Sequence, residues 1–231
     1  MTDAEIRRSP NIWDNPAVYE LENSAVDQNG LIESTMQSIA NWTGRDVLDV
    51  GCGTGFHLPR FAATARSVVG AEPHPPLAAI ARRRTRRLLN TTVLNEGAAS
   101  LSLADDSVDV SHARWAYFFG PGCEPGLAEL ARVLRPGGTA FVIDNDPTTS
   151  TFGGWFRRGF PDVDPAVVEA FWTSQGWSRE RLGISWDFES REDFESVVRI
   201  ELPTVVAEEV LVEHPDAAGV DYAVNLWWKR F

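Results

Sequence analysis

The residues best placed to do chemistry form one short block, Asp49-Val50-Gly51-Cys52-Gly53-Thr54-Gly55. Glycines on alternate positions let a backbone turn sharply and approach a ligand closely. A P-loop does not fit, because no lysine follows the glycines and the next cation is Arg60. A dinucleotide turn wants G-x-G-x-x-G, whereas here the spacing is G-x-G-x-G with an acid just before it. Asp49 would repel a pyrophosphate and attract an ammonium, directly or through water. Glu72 follows 23 positions later, at the end of a second expected strand. A carboxylate there can accept from both hydroxyls of a ribose. The two acids describe a ligand with a ribose at one end and a positive amino-acid group at the other. S-adenosylmethionine has that shape, and it would lie at the switch point of a parallel sheet, beyond the carboxyl ends of the strands.

These residues need elements to hold them. The first 45 residues read as helical pieces, with NPAVYELENSAVD a short helix and NGLIESTMQSIANW a longer one. Strands and helices then alternate. DVLDV, SVVGAE, TTVLNEG, VDVSHARW and TAFVID read as strands. GFHLPRFAATA, PLAAIARRRTRRLL and PGLAELARVL read as helices, the last stopped by Arg135-Pro136-Gly137-Gly138. Short apolar strands joined by helices predict βαβ units and a parallel sheet covered on both faces. From Trp155 to Phe188 the chain is crowded with aromatics, which are expected to be core rather than a cofactor stack. REDFESVVRIE and PTVVAEEVLVEH then read as a helical pair, and VDYAVNLWWKRF as a final strand.

VLDVGCGTG, VVGAEPHPPLAAIAR, VDVSHARWAYFF and LAELARVLRPGGTAFVID, taken in order, resemble the successive motifs of class I S-adenosylmethionine-dependent methyltransferases, in particular the UbiE-like group. The resemblance covers roughly residues 44 to 146. It implies an α/β fold: a Rossmann-like, doubly wound, mostly parallel seven-stranded sheet with an antiparallel last strand, N-terminal helices and a small aromatic-rich C-terminal cap. One domain is expected over 1–231. Within it, 1–45 would be a helical lid, 46–146 the cofactor-binding core, and 147–231 the C-terminal elaboration with the last strands.

The resemblance also implies site residues. Asp49, Gly51 and Gly53 would line the methionine part of the cofactor, within a loop that includes Cys52 and Gly55. Glu72 would take the ribose hydroxyls and Pro73 would pack near adenine. Relatives often carry Gly-Asp-Ala where this chain has Glu96-Gly97-Ala98, so Gly97 stands at the position of an adenine-binding aspartate. A backbone group near Gly97 and Ala98, or Glu96, would serve the adenine, or that contact is missing. Ala113 and Arg114 would close the site over the methionine end. Methyl transfer by in-line displacement to an O, N or C atom of a small molecule is the implied reaction.

His112 is the candidate general base, set against a purely structural role. His57 and His74 have weaker claims. Tyr19, Trp115 and Tyr117 are candidates for the substrate pocket. Cys52 reads as a small apolar loop residue rather than a nucleophile. No metal site is expected from the scattered histidines.

Bulk properties narrow the function. A net charge of −12 makes nucleic acid a poor partner. The run ARRRTRRLL opposes this with five arginines in six positions, but reads as a solvated helix end. No membrane span or secretory signal is expected, and two unpaired cysteines suggest a reducing cytoplasm. Two alternatives remain: a cofactor-binding module without catalysis, and an RNA methyltransferase.

Overall fold

The computed structural model describes residues 7–116 and 120–231. Its strands are β1 (Asp46–Val50), β2 (Ser67–Ala71), β3 (Thr91–Leu94), β4 (Val108–Arg114), β5 (Leu134–Asn145), β6 (Ser178–Asp187) and β7 (Gly219–Arg230). They form one seven-stranded sheet in the order β3-β2-β1-β4-β5-β7-β6. The first five strands run parallel. β7 is antiparallel to both β5 and β6. The chain order reverses between β1 and β4, which makes that crevice the switch point.

Side chains alternate along each strand, so the sheet sorts them onto two faces. Val47, Val110, Phe141 and Val224 enter one core. Helices α2 (Pro16–Ala25), α3 (Leu31–Ile39), α4 (Leu58–Ala62) and α5 (Pro75–Thr85) cover its first half. Helices α7 (Thr151–Gly159), α9 (Arg191–Glu201) and α10 (Thr204–Glu213) cover its second half. Leu48, Val50, Ala113, Val142 and Trp227 enter the other core, under α6 (Glu124–Val133) and α8 (Pro165–Ser174). The same alternation places Asp49, His112 and Arg114 on the first face.

The aromatics divide between the cores. Phe152, Trp155 and Trp186 join the first, Trp172 and Trp177 the second. Helix starts follow local chemistry. Asp27 accepts from the N–H groups of Leu31 and Ile32 and so caps α3, and Ser190 caps α9 through Asp193 N. No helix among the described residues is long and apolar enough to cross a membrane.

Candidate active site

β1 ends in the glycine loop. Gly51 and Gly55 have φ of +68° and +78°, a left-handed backbone that favours glycine. Close approach adds a second reason at Gly51. A Cβ there would stand 2.6 Å from the Ala116 methyl. Cys52 turns its sulfur under the loop toward Gly70, and burial pushes its thiol well up.

Asp49 is 2% exposed at the base of the loop. Parallel pairing sets it beside His112 of β4, and their side chains meet with Nδ1 2.7 Å from Oδ1. With Asp49 as acceptor, Nδ1 is the donor and Nε2 is the ring nitrogen left for another partner. The other oxygen, Asp49 Oδ2, is buried with no hydrogen-bond partner among the described residues.

At the end of β2, Glu72 is 4% exposed. Its Oε2 accepts from Gly53 N at 3.0 Å and its Oε1 from His74 N at 2.8 Å. Each oxygen keeps a second lone pair. Burial raises this carboxyl above its ordinary range, against the pull of the His74 and Gly53 amides. Asn95 donates to the carbonyls of Glu72 and Pro73 and so fixes the turn after β2. Gly97 and Ala98 lie in the loop after β3, both half-buried. The Gly97 carbonyl is taken by Ser100 N and one Glu96 oxygen by Ser102 N.

The N-terminal helices lie against this loop. Ile12, from α1 (Pro10–Asp14), comes within 2.8 Å of where a Gly53 Cβ would be. Trp13 stacks on His74 with ring centroids 4.1 Å apart. Glu20 of α2 bonds Thr54 and Arg84, which engages one arginine of the basic run. Arg82, Arg83, Arg86 and Arg87 are exposed.

Past His112, the chain brings together residues that are distant in sequence. Trp115 holds φ +51°, a strained value for a bulky side chain. Its indole N–H donates to Asn145 Oδ1 at 2.7 Å, which Tyr222 also reaches. The Arg114 guanidinium stacks over the Trp115 ring at 4.3 Å. Tyr19, Glu22 and Tyr222 surround it electrostatically. Burial raises the Glu22 carboxyl well above its usual range, and Glu201 raises it further. Ala113 turns its methyl into the second core. Tyr117 lies outside the described residues.

A small cleft, open to solvent, lies beside His112. Its polar lining includes Asp27, Glu33, His57, Arg60, His112 and Arg114, and Met36, Trp42 and Phe61 are among its apolar residues. Loss of water pushes His57 well below the usual imidazole range, and the charge of Arg114 adds to this. His57 lies 5.3 Å from His112 between ring centroids. Its place directly behind the glycine loop was the available sequence signal. For Asn145 and Tyr222 the sequence held none.

Residues 47–138 match a family described as a methyltransferase domain. A demethylmenaquinone methyltransferase of Thermus thermophilus is 34% identical over 123 residues, covering 52% of this chain and 56% of that protein. Another of that name, from Lactococcus lactis, is 27% identical over 191 residues, covering 80% and 73%. The chain spans little more than half the length of several such relatives. The solved YcgJ protein of Bacillus subtilis shares the fold with a TM-score of 0.63 at 17% identity, over 87% of this chain and 98% of that one.

Proposed function

From the premise that residues 47–138 belong to a class I S-adenosylmethionine-dependent methyltransferase domain, we propose that this chain methylates a small molecule. The observation that carries the reading is the unpartnered Oδ2 of Asp49 beside the rim carboxylate of Glu72. A buried acceptor without a donor is unfavourable unless a ligand completes it. The ammonium of the methionine end would do so. The residues present fit the cofactor: Glu72 has lone pairs for the ribose hydroxyls, and Gly51, Cys52, Gly53 and Gly55 bring backbone close. Pro73 would pack near adenine, and Gly97 and Ala98 would offer backbone to its edge. Ala113 follows as the strand end beside the methionine part, while Arg114 after it turns to the cavity it shares with His57 and His112.

S-adenosylmethionine, when bound, supplies a methyl group activated by its positive sulfur. The chain's own work is alignment, exclusion of water and removal of one proton. Asp49 orients His112, and Nε2 of His112 takes the proton that an acceptor hydroxyl or amine gives up as it attacks. Tyr19 and Trp115 stand beside Arg114 rather than in the lining of that cavity. α1 and α2 act as a lid, and entry of the cofactor requires Ile12 and Trp13 to move.

Calorimetric titration with S-adenosylhomocysteine tests this, with NADH as the control. Micromolar binding of the first and none of the second is expected. Binding of NADH alone would replace the reading with a nicotinamide one.

A further inference from the structure

The reading above leaves one buried group unexplained. Arg114 has two donors, Nε and Nη2, that are shielded from water and have no hydrogen-bond partner among the described residues. These two sit on the same edge of the guanidinium, the edge that grips a carboxylate side-on with two parallel bonds. Stacking on Trp115 fixes the plane of that edge. The nearby acids do not fill it. Asp27 uses both its oxygens to cap α3. Glu201 accepts from Asn11 at 2.6 Å. Glu22 makes no hydrogen bond to Arg114 among the described residues, and burial and Glu201 both push its carboxyl up.

Resting on the methyltransferase reading, we propose that the Arg114 edge is a carboxylate subsite, and that the carboxylate belongs to the methyl acceptor. Placement favours the acceptor over the cofactor. Arg114 shares its cavity with His57 and His112, whereas Asp49 and Glu72 do not line it. Its wall of Ile32, Met36, Trp42, Phe56 and Phe61 suits an apolar body, which the methionine end of the cofactor lacks. The acceptor class is therefore a small aromatic or similarly apolar carboxylate. It would be anchored at Arg114 with its nucleophilic hydroxyl or amine toward the histidines. Atoms balance as in any alkylation: the new bond to methyl forms as the sulfur–methyl bond breaks, and His112 carries away the proton.

The test uses the full chain and calorimetry. Its probes are S-adenosylhomocysteine, 5′-methylthioadenosine, which lacks the amino-acid end, and a panel of benzoate, 4-hydroxybenzoate and indole-3-acetate against their uncharged alcohols. With S-adenosylhomocysteine saturating, at least one carboxylate is expected to bind at least tenfold more tightly than its alcohol. Arg114→Met should remove that preference and leave S-adenosylhomocysteine affinity within threefold. Arg114→Lys keeps the charge but loses the two-bond edge, and should also weaken the carboxylate about tenfold; it serves if the methionine variant fails to fold. Tenfold weaker S-adenosylhomocysteine with unchanged methylthioadenosine in either variant would assign the edge to the cofactor and overturn the proposal. Equal binding of carboxylates and alcohols, or no binding of either, would overturn it too. A wild type that binds no S-adenosylhomocysteine would overturn the methyltransferase reading beneath it.

Discussion

Strand β1 carries an aspartate near each end, and the two live in opposite circumstances. At the entry, Asp46 accepts from Ser67 at 2.7 Å and pairs with Arg66 and Arg135. Its neighbour Asp109, at the entry of β4, accepts from Asp46 N and pairs with Arg135 at 2.8 Å. Hydrogen bonds from Arg66 hold the Asp46 carboxyl well below the usual range. At the exit, Asp49 has one oxygen on His112 and one on nothing. Arg114 and Asp144, at the exits of β4 and β5, also keep buried atoms without partners. The entry rim is a clamp whose charges answer each other. The exit rim is held open by the fold, which is what a binding edge of a parallel sheet requires.

The sharpest way to break this contrast is Glu72→Ala. Two charge-assisted bonds to ribose hydroxyls would disappear, each worth about 1.5–3 kcal/mol. S-adenosylhomocysteine affinity should fall about a thousandfold by calorimetry, and the melting temperature should drop by several degrees as the Gly53 and His74 amides lose their acceptor. Unchanged affinity would mean that the exit rim of β2 is not where the ribose sits.

The contrast also explains what the sequence alone could say. Asp49 and Glu72 were legible because each ends a strand, and strand ends converge in a parallel sheet. The switch point followed from the same periodicity. α4 proved shorter than expected, because Pro59 sits in its first turn and Gly55 to His57 belong to the loop. β5 begins at Leu134 rather than Thr139, since Leu134 already pairs with Val108 across a bulge. β6 was not legible: Arg179, Glu180 and Arg181 mask its apolar period, as charges do on an edge strand. α5 stops at Thr85, so two of its expected arginines lie beyond the helix. The environment of Arg114 was illegible for another reason. Tyr19, Glu22 and Tyr222 come near it only through the packing of α2 and β7, which no local pattern encodes.

A second, smaller test concerns Asp144. Burial pushes its carboxyl up to about 7, with Asp146 adding to this and Asn225, Trp227 and Arg179 opposing it. A carboxyl raised in the fold stabilises it fully below its unfolded value, near pH 4, and that contribution is lost as pH rises toward 7. Asp144→Asn keeps the shape without the charge. The variant should match the wild type at pH 4 and exceed it at pH 8, by on the order of 2 kcal/mol in urea unfolding. A variant weaker than the wild type at pH 8 would mean that the Asp144 charge is answered, and the exit rim less open than described.

The smallest effect belongs to the clamp. Asp46→Asn removes one half-exposed network, in which the Arg66 side chain is 59% exposed. Solvent screening limits such pairs to about 1 kcal/mol, a shift of a few degrees in melting temperature. Here the sign is reversed. The folded carboxyl lies below its unfolded value, so its contribution is present above about pH 4 and fades as acid protonates it. The gap between wild type and variant should therefore be full at pH 7, shrink steadily below pH 4 and narrow in high salt. S-adenosylhomocysteine affinity should not move, because nothing at the entry rim faces the ligand. A variant that loses cofactor binding while keeping its fold would show the two rims to be coupled through β1, and the division between clamp and site would fail.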